Sequence, residues 1–178
     1  MADIICSGFG GQGVLSAGLI LANAAMDLGK EVTWIPSYGS EMRGGTAGCA
    51  IRISDARIGT PFIKHMDLLI AMNPASVERY QPQVRPGGIM IVNGSLMPEG
   101  ATYRDDITVH VVPAGELARQ AENPKGLNLV MLAAGVTASG LLGFDDFAAK
   151  VDTFFAKKGK VFPQNAVCLD LGRKAVEL

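Results

Sequence analysis

The 178 residues have the length of one ordinary domain, and 48% hydrophobic content suffices to bury a core, so a single domain over 1–178 is expected. Sixteen basic residues against seventeen acidic ones give a net charge of -1, which excludes the basic footprint that a nucleic-acid binder needs. No apolar run reaches membrane-spanning length, and Met-Ala-Asp leads straight into apolar sequence without a positive region or small-residue cleavage site, so a cytoplasmic, non-membrane protein is expected.

In chain order, Asp3 to Ser7 reads as a short buried strand, and Gly8-Phe9-Gly10-Gly11-Gln12-Gly13 turns it into a long apolar helix reaching about Leu28. The polar side chains Gln12, Ser16, Asn23, Asp27 and Lys30 form one narrow stripe on that helix, so it should be covered on more than one side. Glu31 to Ile35 is the next strand, followed by a loop of turn formers from Pro36 to Gly45. Thr46 to Ser54 alternates as a strand, and Asp55-Ala56-Arg57 is expected to fold it back towards Ile58 as a small hairpin. Asp67 to Ala71, Ile89 to Val92 and Ile107 to Val112 are further strands, with a helix started by Pro74 between the first two.

The last third turns helical. Asn128 to Leu142 is almost wholly apolar, with Gly135 and Gly140 read as points of close approach. Asp145 is read as the cap of a helix whose Phe147, Val151, Phe154 and Phe155 share a face, and from Pro163 the residues Val167, Leu171, Lys174 and Leu178 recur at near-helical spacing. Strands alternating with helices predict an α/β fold: a single Rossmann-like three-layer domain with a mostly parallel sheet, a small hairpin insertion and a helical C-terminal part.

The pattern Gly8-x-Gly10-x-x-Gly13 follows a strand and opens a helix, the setting in which backbone N–H groups and a helix amino end attract an anion. A dinucleotide site also needs a carboxylate at the end of the second strand for the ribose hydroxyls, and Ile35-Pro36-Ser37 stands there instead. Tight helix–strand packing with an opportunistic anion site is therefore favoured over bound NAD. Loops after the first strands of a parallel sheet share its carboxyl edge, which would gather Tyr38, Ser40, Glu41, Arg43 and Gly44 beside Gly8, Gly10, Gly11, Gln12 and Gly13. Two roles stand open for Arg43: a two-pronged donor to a phosphate or carboxylate, or one half of a Glu41–Arg43 surface pair.

Cys6, Cys49 and Cys168 share no C-x-x-C spacing, so buried thiols are expected rather than a disulfide framework or a zinc or iron–sulfur site. His65 and His110 have no nucleophile partner in sequence, and the Asp105-Asp106 pair reads as a turn.

The glycine turn with Val14, the run Ser37-Tyr38-Gly39-Ser40-Glu41-Met42-Arg43-Gly44-Gly45-Thr46, and Ser54-Asp55 followed by Ile58-Gly59-Thr60-Pro61 together resemble the gamma subunit or domain of the 2-oxoacid:ferredoxin (flavodoxin) oxidoreductases. Asp67-Leu68-Leu69-Ile70-Ala71-Met72-Asn73 and Asn128 are similar to that family's later landmarks. The resemblance implies a multi-subunit enzyme that decarboxylates a 2-oxoacid on thiamine diphosphate with Mg2+. Electrons would pass through [4Fe-4S] clusters to ferredoxin, and an acyl-coenzyme A would be released. It further implies that those cofactors reside in alpha and beta subunits (with delta where present), that this chain carries no catalytic residue and binds no cofactor alone, and that its glycine turn touches coenzyme A. Within the family the chain is similar to separate gamma chains of 2-oxoglutarate or branched-chain enzymes, with 2-oxoglutarate preferred. A stand-alone nucleotide-binding module and a purely architectural subunit are the alternatives. The apolar helices also allow a homodimer when partners are missing.

Overall fold

The computed structural model describes residues 1–38 and 45–177. Six strands form one mixed sheet in the order β2-β3-β1-β4-β5-β6, where β1 is Ala2–Phe9, β2 Glu31–Tyr38, β3 Thr46–Ser54, β4 Met66–Ala71, β5 Val84–Asn93 and β6 Thr108–Val112. All run parallel in direction except β3, which pairs antiparallel with both β1 and β2. The helices are α1 Val14–Asp27, α2 Pro74–Tyr80, α3 Ala114–Gln120, α4 Leu127–Ser139, α5 Phe144–Ala156 and α6 Pro163–Lys174.

The period-two rule divides the inner strands between two cores. Leu68 and Ile70 of β4 and Ile91 of β5 face the larger core beneath α1, α3, α4, α5 and α6. Leu69, Ala71, Met90 and Val92 face the other side, where Val77 and Tyr80 of α2 and loop residues such as Ile107 and Tyr103 cover them. The layering expected from the sequence is present, with one thick helical face and one thin one. α4 is buried from Asn128 to Val136, and α1 is enclosed by the sheet, α4 and α5. Most apolar residues of these two helices are buried inside the domain.

Four local expectations are corrected. The hairpin is formed by β2 and β3, not by β3 and the segment after it. No strand follows at Ile58, because the carbonyls of Thr60 and Phe62 are taken by the Arg52 guanidinium, at 2.6 and 3.3 Å, instead of by a ladder. The start of α5 is Gly143 without a side-chain cap, and the Asp145 carboxylate lies in the first turn with 98% of its side chain exposed. On α6 the inward residues are Asn165, Cys168, Leu169 and Gly172, while Val167 is 45% exposed. Small side chains face α4 there, and a search for large apolar residues at helical spacing finds the neighbouring stripe instead. Gly140 ends α4 in a left-handed conformation with open space beside it, so it is a stop rather than a close approach.

Pro36 lies in β2, an edge strand, where a missing N–H costs no ladder bond. No described helix is long and apolar enough to cross a membrane.

Candidate functional site

Strand order reverses between β1 and β4: the connection from β1 leads through α1 to one side, and that from β4 leads through α2 to the other. In open α/β sheets the crevice at such a point is the usual ligand site. Here the Gln12 side chain fills it. Its Oε1 accepts from the Phe9 N–H at 2.6 Å, and its Nε2 donates to the Met72 carbonyl at 3.0 Å, so one amide bridges the ends of β1 and β4. Asn93 donates to the same carbonyl at 3.2 Å and extends the bridge to β5.

The glycines of the fingerprint serve this packing. A Cβ on Gly8 would stand 2.6 Å from Gln12 Oε1 and 2.9 Å from Met72 Cβ, so a side chain there would expel the bridge. Gly13 has a φ of 74°, and a Cβ on it would stand 2.7 Å from Asn128 Nδ2. That amide donates to the Gly13 carbonyl at 3.2 Å, which ties the amino end of α4 to that of α1. Two amides of the turn are already engaged, Gly10 N–H with the Gly45 carbonyl at 3.1 Å and Gln12 N–H with that of Phe9 at 3.2 Å. Gly11, with a φ of 96°, has open space beside it.

The structure brings Gly8, Gly10, Gly11, Gln12, Gly13 and Tyr38 to one sheet edge. Tyr38 stands opposite Ala47 at the end of β2, and Phe9 stands opposite Thr46 at the end of β1. β2 is not adjacent to β1 as a parallel pair would be. The antiparallel β3 lies between them, and two reversals return β2 to the direction of β1, so the edges coincide. Tyr38 is 75% exposed and makes an aromatic rim. Ser40, Glu41, Arg43 and Gly44 lie outside the described residues; the flanking Tyr38 and Gly45 both stand at this edge.

A cleft of about 1000 Å3 opens on the other flank of the turn, and sequence reasoning missed it. Ser16 and Leu19 of α1, residues 122–129, the end of α5 and the start of α6 line it. Its signal in the sequence is the run Lys157-Lys158-Gly159-Lys160-Val161-Phe162-Pro163, where three lysines and two apolar residues stand without a carboxylate.

The Arg104 guanidinium grips Asp106 at 2.8 and 2.6 Å and holds its carboxyl below the usual range. Cys6 and Cys49 are directly opposed across β1 and β3 and, like Cys168, buried. Contact with the Cys49 sulfur and burial push the Cys6 thiol up, and burial does the same for Cys168, so neither is an activated nucleophile. His65 is exposed ahead of β4 and His110 is half-buried on β6. Among the described residues, no group of three or more His, Cys, Asp or Glu side chains is placed to hold a metal ion.

The family model for pyruvate ferredoxin/flavodoxin oxidoreductase matches residues 3–175. The ketoisovalerate oxidoreductase subunit VorA of Methanothermobacter thermautotrophicus is 38% identical over 169 residues, which are 93% of this chain and 34% of the relative. The chain therefore spans about a third of that protein's length. The 2-oxoglutarate synthase subunit KorC of Methanocaldococcus jannaschii is 34% identical over 74% of this chain and 72% of its own. The solved gamma subunit of a keto/oxoacid ferredoxin oxidoreductase from Geobacter sulfurreducens PCA superposes with a TM-score of 0.80 over 99% of both chains, and at 23% identity it establishes the fold.

Proposed function

Because the chain belongs to the pyruvate ferredoxin/flavodoxin oxidoreductase family, we propose that it is the gamma component of a cytoplasmic, thiamine-diphosphate-dependent 2-oxoacid:ferredoxin oxidoreductase. The observation that carries this reading is the family match across residues 3–175. In this reading, thiamine diphosphate, Mg2+ and the [4Fe-4S] clusters belong to the alpha and beta subunits, with delta where present, and ferredoxin meets the assembled complex. This chain contributes a docking surface and a contact to coenzyme A.

The residues present fit the phosphate end of coenzyme A in one respect: the exposed Gly11 leaves the approach to the turn unobstructed. Arg43, which falls in sequence between Tyr38 and Gly45, is proposed to meet a phosphate, because guanidinium forms a planar two-pronged donor. Replacing Arg43 by Ala in the assembled enzyme is expected to raise the KM for coenzyme A about tenfold or more, the loss of one charged hydrogen bond of about 1.5–3 kcal/mol, with kcat nearly kept. An unchanged KM would remove the phosphate contact. Saturable micromolar NAD binding by the chain alone would replace this reading with the stand-alone nucleotide module.

The proposed 2-oxoacid is 2-oxoglutarate, supported by KorC relatives of which the chain covers most of the length. The branched ketoisovalerate is the second reading, favoured by the 38% identity to VorA. Comparing kcat/KM for the two acids in the assembled complex decides between them.

A further inference from the structure

The cleft beside the glycine turn is not used by anything above, although it is the largest of the cavities described. We propose that it is a binding site for a small ligand carrying phosphate groups and an aromatic ring, with Lys125, Lys158 and Lys160 meeting the phosphates and Phe162 the ring. The proposal deepens the coenzyme A reading only if that ligand is coenzyme A. A free nucleotide presents the same chemistry.

Charge is the first argument. Three lysines and a single carboxylate, Glu122, line the cleft of a protein whose net charge is -1. The ion pairs found among the described residues engage Lys157, with Asp27, but none of the three lysines lining the cleft. A concave wall of one sign concentrates anions from solution.

Aromatic surface is the second argument. Phe162 is 54% exposed and lines the cleft, so its ring face is open to an aromatic group of a ligand. Phe154 and Phe155 stand edge to face with centroids 5.5 Å apart, and Lys158 Nζ lies 4.1 Å from the Phe154 centroid. A lysine held over one ring beside a second, exposed ring offers a charge and a stacking face within one ligand's span. At about 1000 Å3 the cleft matches the upper end of small-ligand sites.

Rigidity is the third argument. The amino ends of α1, α4 and α6 all open on the cleft, and none of the three carries a side-chain cap. Some amides at these ends are already engaged, since Pro163 brings no N–H to α6, the Asn165 N–H donates to the Phe162 carbonyl at 2.9 Å, and a turn at Pro124–Gly126 runs straight into α4; the remaining N–H groups support the lysines in second place. The three ends are fixed to one another: Asn128 joins α4 to α1, and Asn123 Nδ2 donates to Asn165 Oδ1 on α6 at 3.0 Å. The donors are therefore in place before a ligand arrives, which suits a compact phosphate better than a flexible acidic segment of a partner.

The test is calorimetry on the purified full chain with coenzyme A, 3′,5′-ADP, AMP and inorganic diphosphate, repeated on the variants Lys158→Gln/Lys160→Gln and Phe162→Ala. These substitutions fall on exposed positions, and circular dichroism with thermal melting verifies their fold. Saturable binding of at least one probe is expected, weakened tenfold or more by the double lysine substitution and by raising salt from 50 to 500 mM. Loss with Phe162→Ala for the nucleotides but not for diphosphate is expected if the ring stacks. Preference for coenzyme A and 3′,5′-ADP over AMP would identify coenzyme A as the source, and equal affinity for AMP a free nucleotide. Failure of all four probes at millimolar concentration, or binding that ignores the lysines and is lost only in a parallel Arg43→Ala variant, would overturn the cleft. The second of those outcomes leaves the coenzyme A reading intact and places the ligand at the loop instead.

Discussion

Replacing Asp3 by Ala is expected to destabilise the protein by about 3–5 kcal/mol, the cost of leaving a buried partner charge uncompensated. The Asp3 side chain is 2% exposed and that of Arg52 10%. Arg52 donates to both carboxylate oxygens, from Nε at 2.7 Å and from Nη2 at 3.3 Å, while Arg85 Nη2 donates at 2.8 Å. Arg85 is half exposed and also paired with Asp67, so it can turn to solvent when Asp3 is removed. Arg52 cannot, because it also holds the Thr60 and Phe62 carbonyls that define the course of the chain before β4. Denaturant unfolding of Asp3→Ala, Arg52→Met and the double variant measures this. Each single change should cost several kcal/mol, and the double change less than their sum, since removing both members of a buried pair spares the unpaired charge. A loss below about 1 kcal/mol for Asp3→Ala, the range of an exposed pair, would show that the network carries little.

The second large effect is expected at Gly172. A Cβ there would stand 2.2 Å from the Val130 carbonyl oxygen and 2.9 Å from the carbonyl carbon and Cα of the same residue. All three atoms are backbone, so no rotamer change relieves the overlap, and α6 must lift from α4. Gly172→Val is expected to cost about 3 kcal/mol, at the upper end for overpacking in a core. Val167→Ala on the exposed face of the same helix should stay within about 0.5 kcal/mol. Equal midpoints for the two variants would refute the α4–α6 contact. Since α4 and α6 also carry Asn128 and Asn165, the Gly172 variant should weaken ligand binding in the cleft as well.

The two helix faces of α6 explain how far the sequence could be read. Val167, prominent at near-helical spacing, is exposed and Leu171 packs only partly against the core, while the inward face is made by Asn165, Cys168, Leu169 and Gly172, of which Gly172 and Cys168 are small residues that a search for large apolar side chains passes over. Strand positions were legible where alternation or an unbroken apolar run marked them, as in Thr46 to Ser54 and Asp67 to Ala71. Their pairing was not, because an antiparallel β3 between two parallel strands leaves no local trace. The glycine turn was legible as a strand-to-helix junction. Its use was not: Gly8 makes room for the Gln12 amide, and that amide closes the crevice where a dinucleotide would lie. The cleft escaped notice because its lysines, amides and phenyl rings come from four separate segments and meet only after α4, α5 and α6 have packed.

These observations sharpen the part given to this chain within its family. Its folded centre is sealed by Gln12, and its polar side chains mostly hold the fold together. The sheet edge with Tyr38 and the cleft with Phe162 are the surfaces on which the proposed contacts are placed.

Reconstitution tests that account most directly. Coenzyme-A-dependent reduction of ferredoxin by a 2-oxoacid is measured with the separately purified alpha and beta subunits proposed as its partners, with this chain, and with the mixture after size-exclusion chromatography. No turnover by this chain alone, co-elution with the partners, and activity that depends on its presence are expected. Turnover by the chain alone, or full activity in partners that never co-elute with it, would contradict the account.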